Sequence, residues 1–365
     1  MNGLSLFTSG GIDEYFLDKT RVKMVLANEL LKKRCDFFKK MYPHKEMIQG
    51  SITEQDIFRE IVTKSKQMKI DFILATPPCQ GMSKAGKMQF SDPRNRLFLY
   101  IIDMIKEIKP KYVLIENVPE FINVFYVDKD GNQNKIMDKI KLELKSHYQI
   151  NARVLNTKHF SVPQSRNRAI VLMSRNDLAV WQFPESDTRL ITVRDTISHL
   201  CSLGNNQKLT DKDIKHMDVK GKEKENILRW HFSKKHNERH ILWMTHTPTG
   251  KSAFENKNDL YKPNINGRII RGFKTTYKRI EWDKPCPTIT MANGSISSQN
   301  NVHPGRLLRN GTYSDPRVLS VYELLLLTSF PKDVSIPNDT SEKVIRDVLG
   351  ECVPPLFMYH IINQL

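Results

Sequence analysis

The first half of the chain alternates short, β-branched apolar runs with longer amphipathic stretches. That alternation restricts it to strands joined by crossover helices in a mostly parallel sheet. The runs are LSLF at 4–7, VKMVLA at 22–27, an element ahead of Gly50, DFILA at 71–75, KYVLI at 111–115, and segments at 152–155 and 169–173. A helical stretch fills 97–108. The expected fold class is α/β with a doubly wound, mostly parallel sheet. In open sheets of this kind ligands bind beyond the carboxyl ends of the strands, where the connections change direction. The residues that end the runs are therefore where chemistry is expected.

Those ends are distinctive. After the first strand come Ser9, Gly10 and Gly11, and Glu29 follows Phe7 by 22 residues, close to the spacing at which an acid meets a nucleotide ribose. A cofactor with an adenosine half is implied, although a glycine pair and an acid at that distance also describe ordinary turns and caps. Cys79 follows Pro77 and Pro78 and precedes Gln80 and Gly81. An isolated cysteine is usually a small buried hydrophobe, but prolines at an open sheet edge give this one the rigid, reachable perch that a nucleophile needs. Glu116 ends KYVLI directly. A carboxylate there is partly desolvated and suited to sharing a proton with a substrate, with a salt-bridged or helix-capping role as the plain alternative.

Composition enters through charge. Of 365 residues 57 are Lys or Arg and 40 are Asp or Glu, a net +17 that points to a polyanionic partner. Residues 191–280 hold 19 basic and 9 acidic side chains, so +10 of the charge sits in a quarter of the chain. Six of the 11 histidines and several isolated aromatics lie there too, and the stretch reads as an inserted basic module rather than part of the sheet. Lys234, Lys235, Arg239, Arg268, Arg271, Lys274, Lys278 and Arg279 are its candidates for neutralising phosphates or reading guanine. Gln80, Ser83, Lys84 and Lys87, in the flexible segment after Cys79, suit a loop closing over phosphates. The five cysteines are odd in number, far apart and never in CxxC spacing, which argues against a disulfide framework or a cysteine zinc site. His236, Glu238 and His240 imitate a zinc-protease helix, but Asn237 stands where that motif needs its glutamate. No metal is expected. The greasiest C-terminal run, 324–327, is too short for a membrane span, and the start lacks a basic signal region, so a cytoplasmic protein is expected. Without a heptad or an apolar stripe, a monomer is expected.

Three blocks, PPCQ at 77–80, ENV at 116–118 and QSRNR at 164–168, resemble signature blocks of the DNA cytosine-5 methyltransferases, in that family's order. The resemblance covers most of the chain. It implies an S-adenosylmethionine-dependent enzyme acting on duplex DNA, with Cys79 as nucleophile and Glu116, Arg166 and Arg168 as its catalytic partners. Pro78, Asn117, Val118 and Gln164 would frame the base. Phe7, Thr8, Ser9, Gly10, Gly11, Ile12, Glu29, Ser51, Ile52 and Leu97 would hold the cofactor, and Thr288 would touch a phosphate. Arg317, Glu323, Phe330 and Pro331 match a downstream R...E...FP block, and Gly350, Val353, Pro354 and Pro355 the last one. The chain departs from the pattern at Ser9, at Ser51 and at Glu351, which replace a glycine, a carboxylate and an asparagine. The implied organisation is a catalytic and cofactor domain at 1–188, a target-recognition domain at 189–335, and a segment at 336–365 returning to the first. The implied role is the modification half of a restriction system whose endonuclease acts separately. A tRNA cytosine-5 methyltransferase and a non-catalytic DNA-binding relative are the alternatives.

Overall fold

The computed structural model describes residues 1–78 and 92–365. The chain forms two compact units: Met1–Thr157 with Asn167–Ser186 and Phe357–Leu365, and Lys158–Arg166 with Asp187–Leu356.

In the first unit seven strands form one sheet. They are β1 (Asn2–Leu6), β2 (Lys23–Glu29), β3 (Glu46–Gln49), β4 (Ile70–Ala75), β5 (Tyr112–Asn117), β6 (Tyr148–Asn156) and β7 (Asn167–Arg175). Their order is β3-β2-β1-β4-β5-β7-β6. The first five are parallel, and β7 runs antiparallel to both β5 and β6. The expected doubly wound sheet is present. Central strands such as FILA of β4 and VLI of β5 are buried along their whole length, as strands covered on both faces must be. Edge strand β6 instead buries only Tyr148, is half-buried or exposed along the rest of its length, and carries the exposed Arg153, which blunts an open edge. The helices α1 (Lys32–Met41), α2 (Gln55–Gln67), α3 (Leu97–Ile108) and α4 (Ile136–Leu144) complete the crossovers. Helix α3 buries Phe98, Ile101, Ile102, Met104 and Ile105 against Ile73, Val113 and Ile115 of the sheet. Its end is set locally: Lys109 adopts a left-handed φ of 54°, and Pro110 cannot continue the helix.

The second unit is mostly irregular, with α5 (Val193–Ile197), α6 (Gly221–Trp230), α7 (Glu238–Thr245), α8 (Val321–Leu327) and α9 (Glu342–Glu351). The last helix, α10 (Pro355–Ile362), carries the chain from Phe357 into the first unit. Every residue of α8 is buried, and its start is fixed by a reciprocal cap between Ser320 and Glu323. Among the described residues no helix is long and apolar enough to cross a membrane.

Candidate active site

The order reverses at β1, so the crevice between the connections leaving β1 and β4 is where a ligand belongs. Three loops meet there and are tied together. The Thr76 hydroxyl donates to the Phe7 carbonyl at 3.1 Å, joining the end of β4 to the loop after β1. The Asn117 amide donates to the Pro77 carbonyl at 2.9 Å, joining β5 to β4. The Ser9 N–H donates to Glu29 Oε2 at 2.9 Å, joining the first loop to β2. Asn117 also accepts from the Val118 N–H at 2.8 Å, which fixes the chain leaving β5. Thr76 and Pro77, shortly before Cys79 in the chain, are thereby held by their neighbours. Cys79, Gln80, Ser83, Lys84 and Lys87 lie outside the described residues.

At the end of β5 the Glu116 carboxylate is buried and meets the Arg168 guanidinium, with Nε 2.6 Å from Oε1. The ladder makes this pair: Ile170 on β7 stands opposite Glu116 on antiparallel β5, so Arg168 enters its strand where Glu116 leaves its own. A carboxylate and a guanidinium are thus placed side by side at the sheet's carboxyl edge, next to the Asn117 that holds the Pro77 carbonyl.

The sequence profile of the C-5 cytosine-specific DNA methylases matches residues 1–365. The chain belongs to that family. It is 42% identical over 369 residues to the Type II methyltransferase M1.HgaI of Avibacterium volantium, covering 100% of this chain and 97% of that one. Among solved structures, a prophage-encoded E. coli chain described as a DNA modification methyltransferase superposes with a TM-score of 0.69 at 17% identity, over 100% of this chain and 98% of that one. A DNMT2 variant from Spodoptera frugiperda gives 0.60 at 17% identity with the same coverage. At that identity the two structures bear on the fold alone, which is that of the S-adenosylmethionine-dependent methyltransferases.

The methylase's own residues at β1 and β2 fit such a cofactor. Gly11 has φ +67°, and a Cβ there would lie 2.7 Å from the Phe38 ring and 2.8 Å from that of Tyr42, so only glycine keeps the loop seated on α1. Phe7 and Ser9 also take left-handed angles of 61° and 51°, giving the tight backbone turn that lets a ligand approach the main chain. Glu29 is buried at the end of β2, where its oxygens accept from the Ser9 and Leu31 N–H groups. The Arg34 guanidinium also stands 3.6 Å from Oε1, and a carboxylate so placed can still accept from a vicinal diol. Ile52 is buried in the core, and Leu97 packs against the same core at the start of α3. The Ser51 hydroxyl lies 2.8 Å from that of Thr53.

Sequence reasoning missed the charged cluster beneath this loop. Asp13 and Glu14 are both buried. Glu14 accepts from the Thr8 hydroxyl at 2.6 Å and pairs with Lys45 at 3.0 Å, while the Tyr42 hydroxyl donates to the Gly11 carbonyl at 2.7 Å. Burial, then the nearby carboxylates of Glu14 and Glu116, hold the Asp13 carboxyl well above the usual range. The only signal in the sequence is an acidic pair directly after Gly11 and Ile12, where α/β loops usually carry apolar or small residues.

In the second unit Gln164 and Ser165 pair in parallel with Cys286 and Pro287. Gln164 Oε1 accepts from the Ile289 N–H at 3.4 Å, and the Thr288 hydroxyl donates to the Ser165 carbonyl at 2.9 Å. Arg166 is buried and donates to the carbonyls of Ile289 at 2.8 Å, Glu351 at 3.0 Å and Gly350 at 3.4 Å. These contacts make it a fastener between the 286–289 segment and the end of α9. Arg317 is bidentate to Glu323, at 2.8 and 2.9 Å, and also meets Asp315 at 2.8 Å, all three being buried.

The candidate DNA contacts divide. Lys235, Arg239, Arg268, Arg271 and Lys274 are exposed, whereas Lys234 is half-buried, 3.7 Å from Glu342. Arg279 cannot reach a phosphate. It is fully buried and donates to the carbonyls of Met244, His303, Ser314 and Asp315, and burial lowers its pKa to about 9. Position in a basic run gave no warning of that carbonyl cage. His236 and His240 point to different partners: His236 Nε2 accepts from the Val318 N–H at 3.4 Å, and the His240 ring lies against Trp243 and Tyr277.

Proposed function

We propose that the methylase transfers a methyl group to C5 of a cytosine flipped out of a specific duplex DNA word, through a covalent adduct between Cys79 and C6. The observation that carries this reading is the Glu116–Arg168 pair, 2.6 Å apart at the sheet edge, beside the Pro77 carbonyl that Asn117 holds.

Cytosine C5 is a weak nucleophile, so the ring must be activated first. The Cys79 thiolate adds to C6, and the electron pair of the 5,6 double bond moves toward C4 and N3, where Glu116 delivers a proton. That leaves C5 enamine-like rather than carbanionic. S-adenosylmethionine, when bound, supplies an electrophilic methyl group. C5 would take that methyl as the methyl–sulfur bond breaks with its electron pair left on the sulfur; Glu116 then recovers its proton from N3, the C5 proton leaves to water, and its electrons re-form the 5,6 double bond and expel the thiolate. Arg168 orients the Glu116 carboxylate and faces the O2 side of the base. Arg166 and Gln164 support the segment that carries it, and Pro78, Asn117 and Val118 frame the pocket. Phe7, Thr8, Ser9, Gly10, Gly11, Ile12, Glu29, Ser51, Ile52 and Leu97 hold the cofactor.

A stacked base cannot reach these groups, and extruding it costs a few kcal/mol that phosphate and base contacts must offset. Those contacts are assigned to residues 189–335, including Thr288, and to Gln80, Ser83, Lys84 and Lys87. The name of the 42%-identical relative, a Type II methyltransferase, supports a modification role beside a separate endonuclease. We assign no metal to the reaction and a monomer to the acting form, working in the cytoplasm.

The test is incubation of the methylase with S-adenosylmethionine and a duplex library carrying 5-fluorocytosine, which traps the adduct because fluorine cannot leave as a cation. A denaturation-resistant protein–DNA adduct is expected, lost in Cys79→Ser. Absence of any Cys79-dependent adduct, or preferential labelling of tRNA over DNA, overturns the reading.

A further inference from the structure

Between Leu260 and Ile280 there is no acidic residue, while Lys262, Arg268, Arg271, Lys274 and Lys278 supply positive charge outside the buried Arg279. Within this stretch lies a short antiparallel hairpin, Asn264–Ile265 paired with Arg268–Ile269. Its turn is Asn266 and Gly267, both left-handed with φ of 50° and 78°, the backbone that a two-residue hairpin turn requires. Ile265 stands opposite Arg268, so an apolar side chain and a guanidinium share one face of the hairpin.

The apolar side chains here are unusually bare. Leu260 is 71% exposed, Ile265 59%, Ile269 48% and Phe273 76%. These are four of the eight large apolar residues at least 48% exposed among the described residues, gathered in 14 positions. Single exposed apolar residues need no explanation, but a cluster on a hairpin is a liability that proteins normally remove. The base beneath it is rigid. Gly272 is seated on the Phe254 ring, where a Cβ would come within 2.4 Å of Cζ. Phe254 meets Tyr277 edge-on, at 5.7 Å and 89°, and Tyr277 meets Trp243 and His240. The segment thus presents Phe273 outward from a packed aromatic platform.

A partner for this surface must be anionic and must also offer apolar area to Ile265, Ile269 and Phe273. Duplex DNA meets both needs, through phosphates, guanine acceptors and thymine methyl groups in the major groove. We propose that residues 264–274 are the base-reading element of the methylase, with the Ile265/Arg268 face entering a groove and Phe273 contacting a base or sugar beside it. Lys274 and Arg271 then neutralise flanking phosphates, which fixes register without reading sequence. This deepens the DNA methylation reading and rests on it.

The full-length protein is tested with Arg268→Ala, Phe273→Ala and Lys274→Ala, using melting temperature and S-adenosylmethionine affinity to check folding. Two readouts are needed: bisulfite sequencing of a randomised duplex library after methylation, and duplex affinity by fluorescence anisotropy. Arg268→Ala and Phe273→Ala are expected to lower kcat/KM on the preferred word by about tenfold to a hundredfold and to relax the preference at one or two positions of it. Lys274→Ala is expected to weaken binding evenly across sequences and to flatten its salt dependence. An unchanged word profile in Arg268→Ala and Phe273→Ala overturns the proposal. Should the wild type methylate no duplex, the functional reading fails on its own. Affinity then decides the hairpin: a loss of at least tenfold in Arg268→Ala supports it, and no loss, or no duplex binding by the wild type, overturns it.

Discussion

Ser9 and Gly11 sit two residues apart with the same sign of φ, yet they stand differently toward that geometry. Gly11 adopts +67° freely, and replacing it adds a left-handed penalty to a collision with two rings. Gly11→Ala is expected to cost about 2–4 kcal/mol and to weaken S-adenosylmethionine binding, which urea denaturation and calorimetry would register. Ser9 holds φ 51° with a side chain that the geometry disfavours, and Ser9→Gly is expected to be neutral or to stabilise by up to about 1 kcal/mol. A destabilising Ser9→Gly would mean that the hydroxyl makes a contact worth more than the strain. At this scale the sequence was legible where a polar residue interrupts a run: Glu29 and Glu116 stood out because a carboxylate that ends a buried strand needs partners, which are the Ser9 and Leu31 N–H groups for one and Arg168 for the other. Asp13, Glu14 and the buried Arg279 were not, because what makes them buried is carbonyls and rings brought from distant parts of the chain.

Among the elements, strands were read more reliably than the pieces between them. A strand covered on both faces writes an unbroken apolar run into the sequence, and 71–75 and 111–115 emerged as β4 and β5. Lys158–Arg166 is different: it is too short and too polar to carry a period, and its structure comes from parallel pairing of Gln164 and Ser165 with Cys286 and Pro287, more than 120 residues later. Arg166 is what binds that arrangement. Arg166→Met is expected to leave the Ile289, Gly350 and Glu351 carbonyls without their donor and to cost about 3 kcal/mol or more, with a lower unfolding midpoint. If the midpoint is unchanged while activity falls, Arg166 acts on substrate instead.

For the molecule as a whole, pH exposes the buried polar network of the second unit. His303 is buried beside Asp315 and Glu323, at 3.8 and 3.6 Å. Both carboxylates are already taken by Arg317, so a second cation gains little there. Burial, reinforced by Arg317, pushes the His303 pKa down to about 3, and burial with Lys234 takes His236 to about 4. Both values lie below those of the unfolded chain, so the neutral rings contribute stability above about pH 6.5. As pH falls through that value, the unfolded chain gains protons that the folded one refuses, and stability is lost until the folded rings themselves titrate. The melting temperature is expected to drop between pH 7 and pH 5, with His303 alone accounting for about 2 kcal/mol. His303→Asn keeps an acceptor for the Gly305 N–H, which now donates to Nδ1 at 3.1 Å, and should flatten the slope; an unaltered slope would place the sensitivity elsewhere.

The antiparallel β7 has an evolutionary corollary. Because its start lies beside the end of β5, Glu116 and Arg168 find each other through ladder register within the first unit, without help from any long connection. A lineage can therefore vary the basic stretch at 191–280 while its acid and its guanidinium keep their spacing untouched.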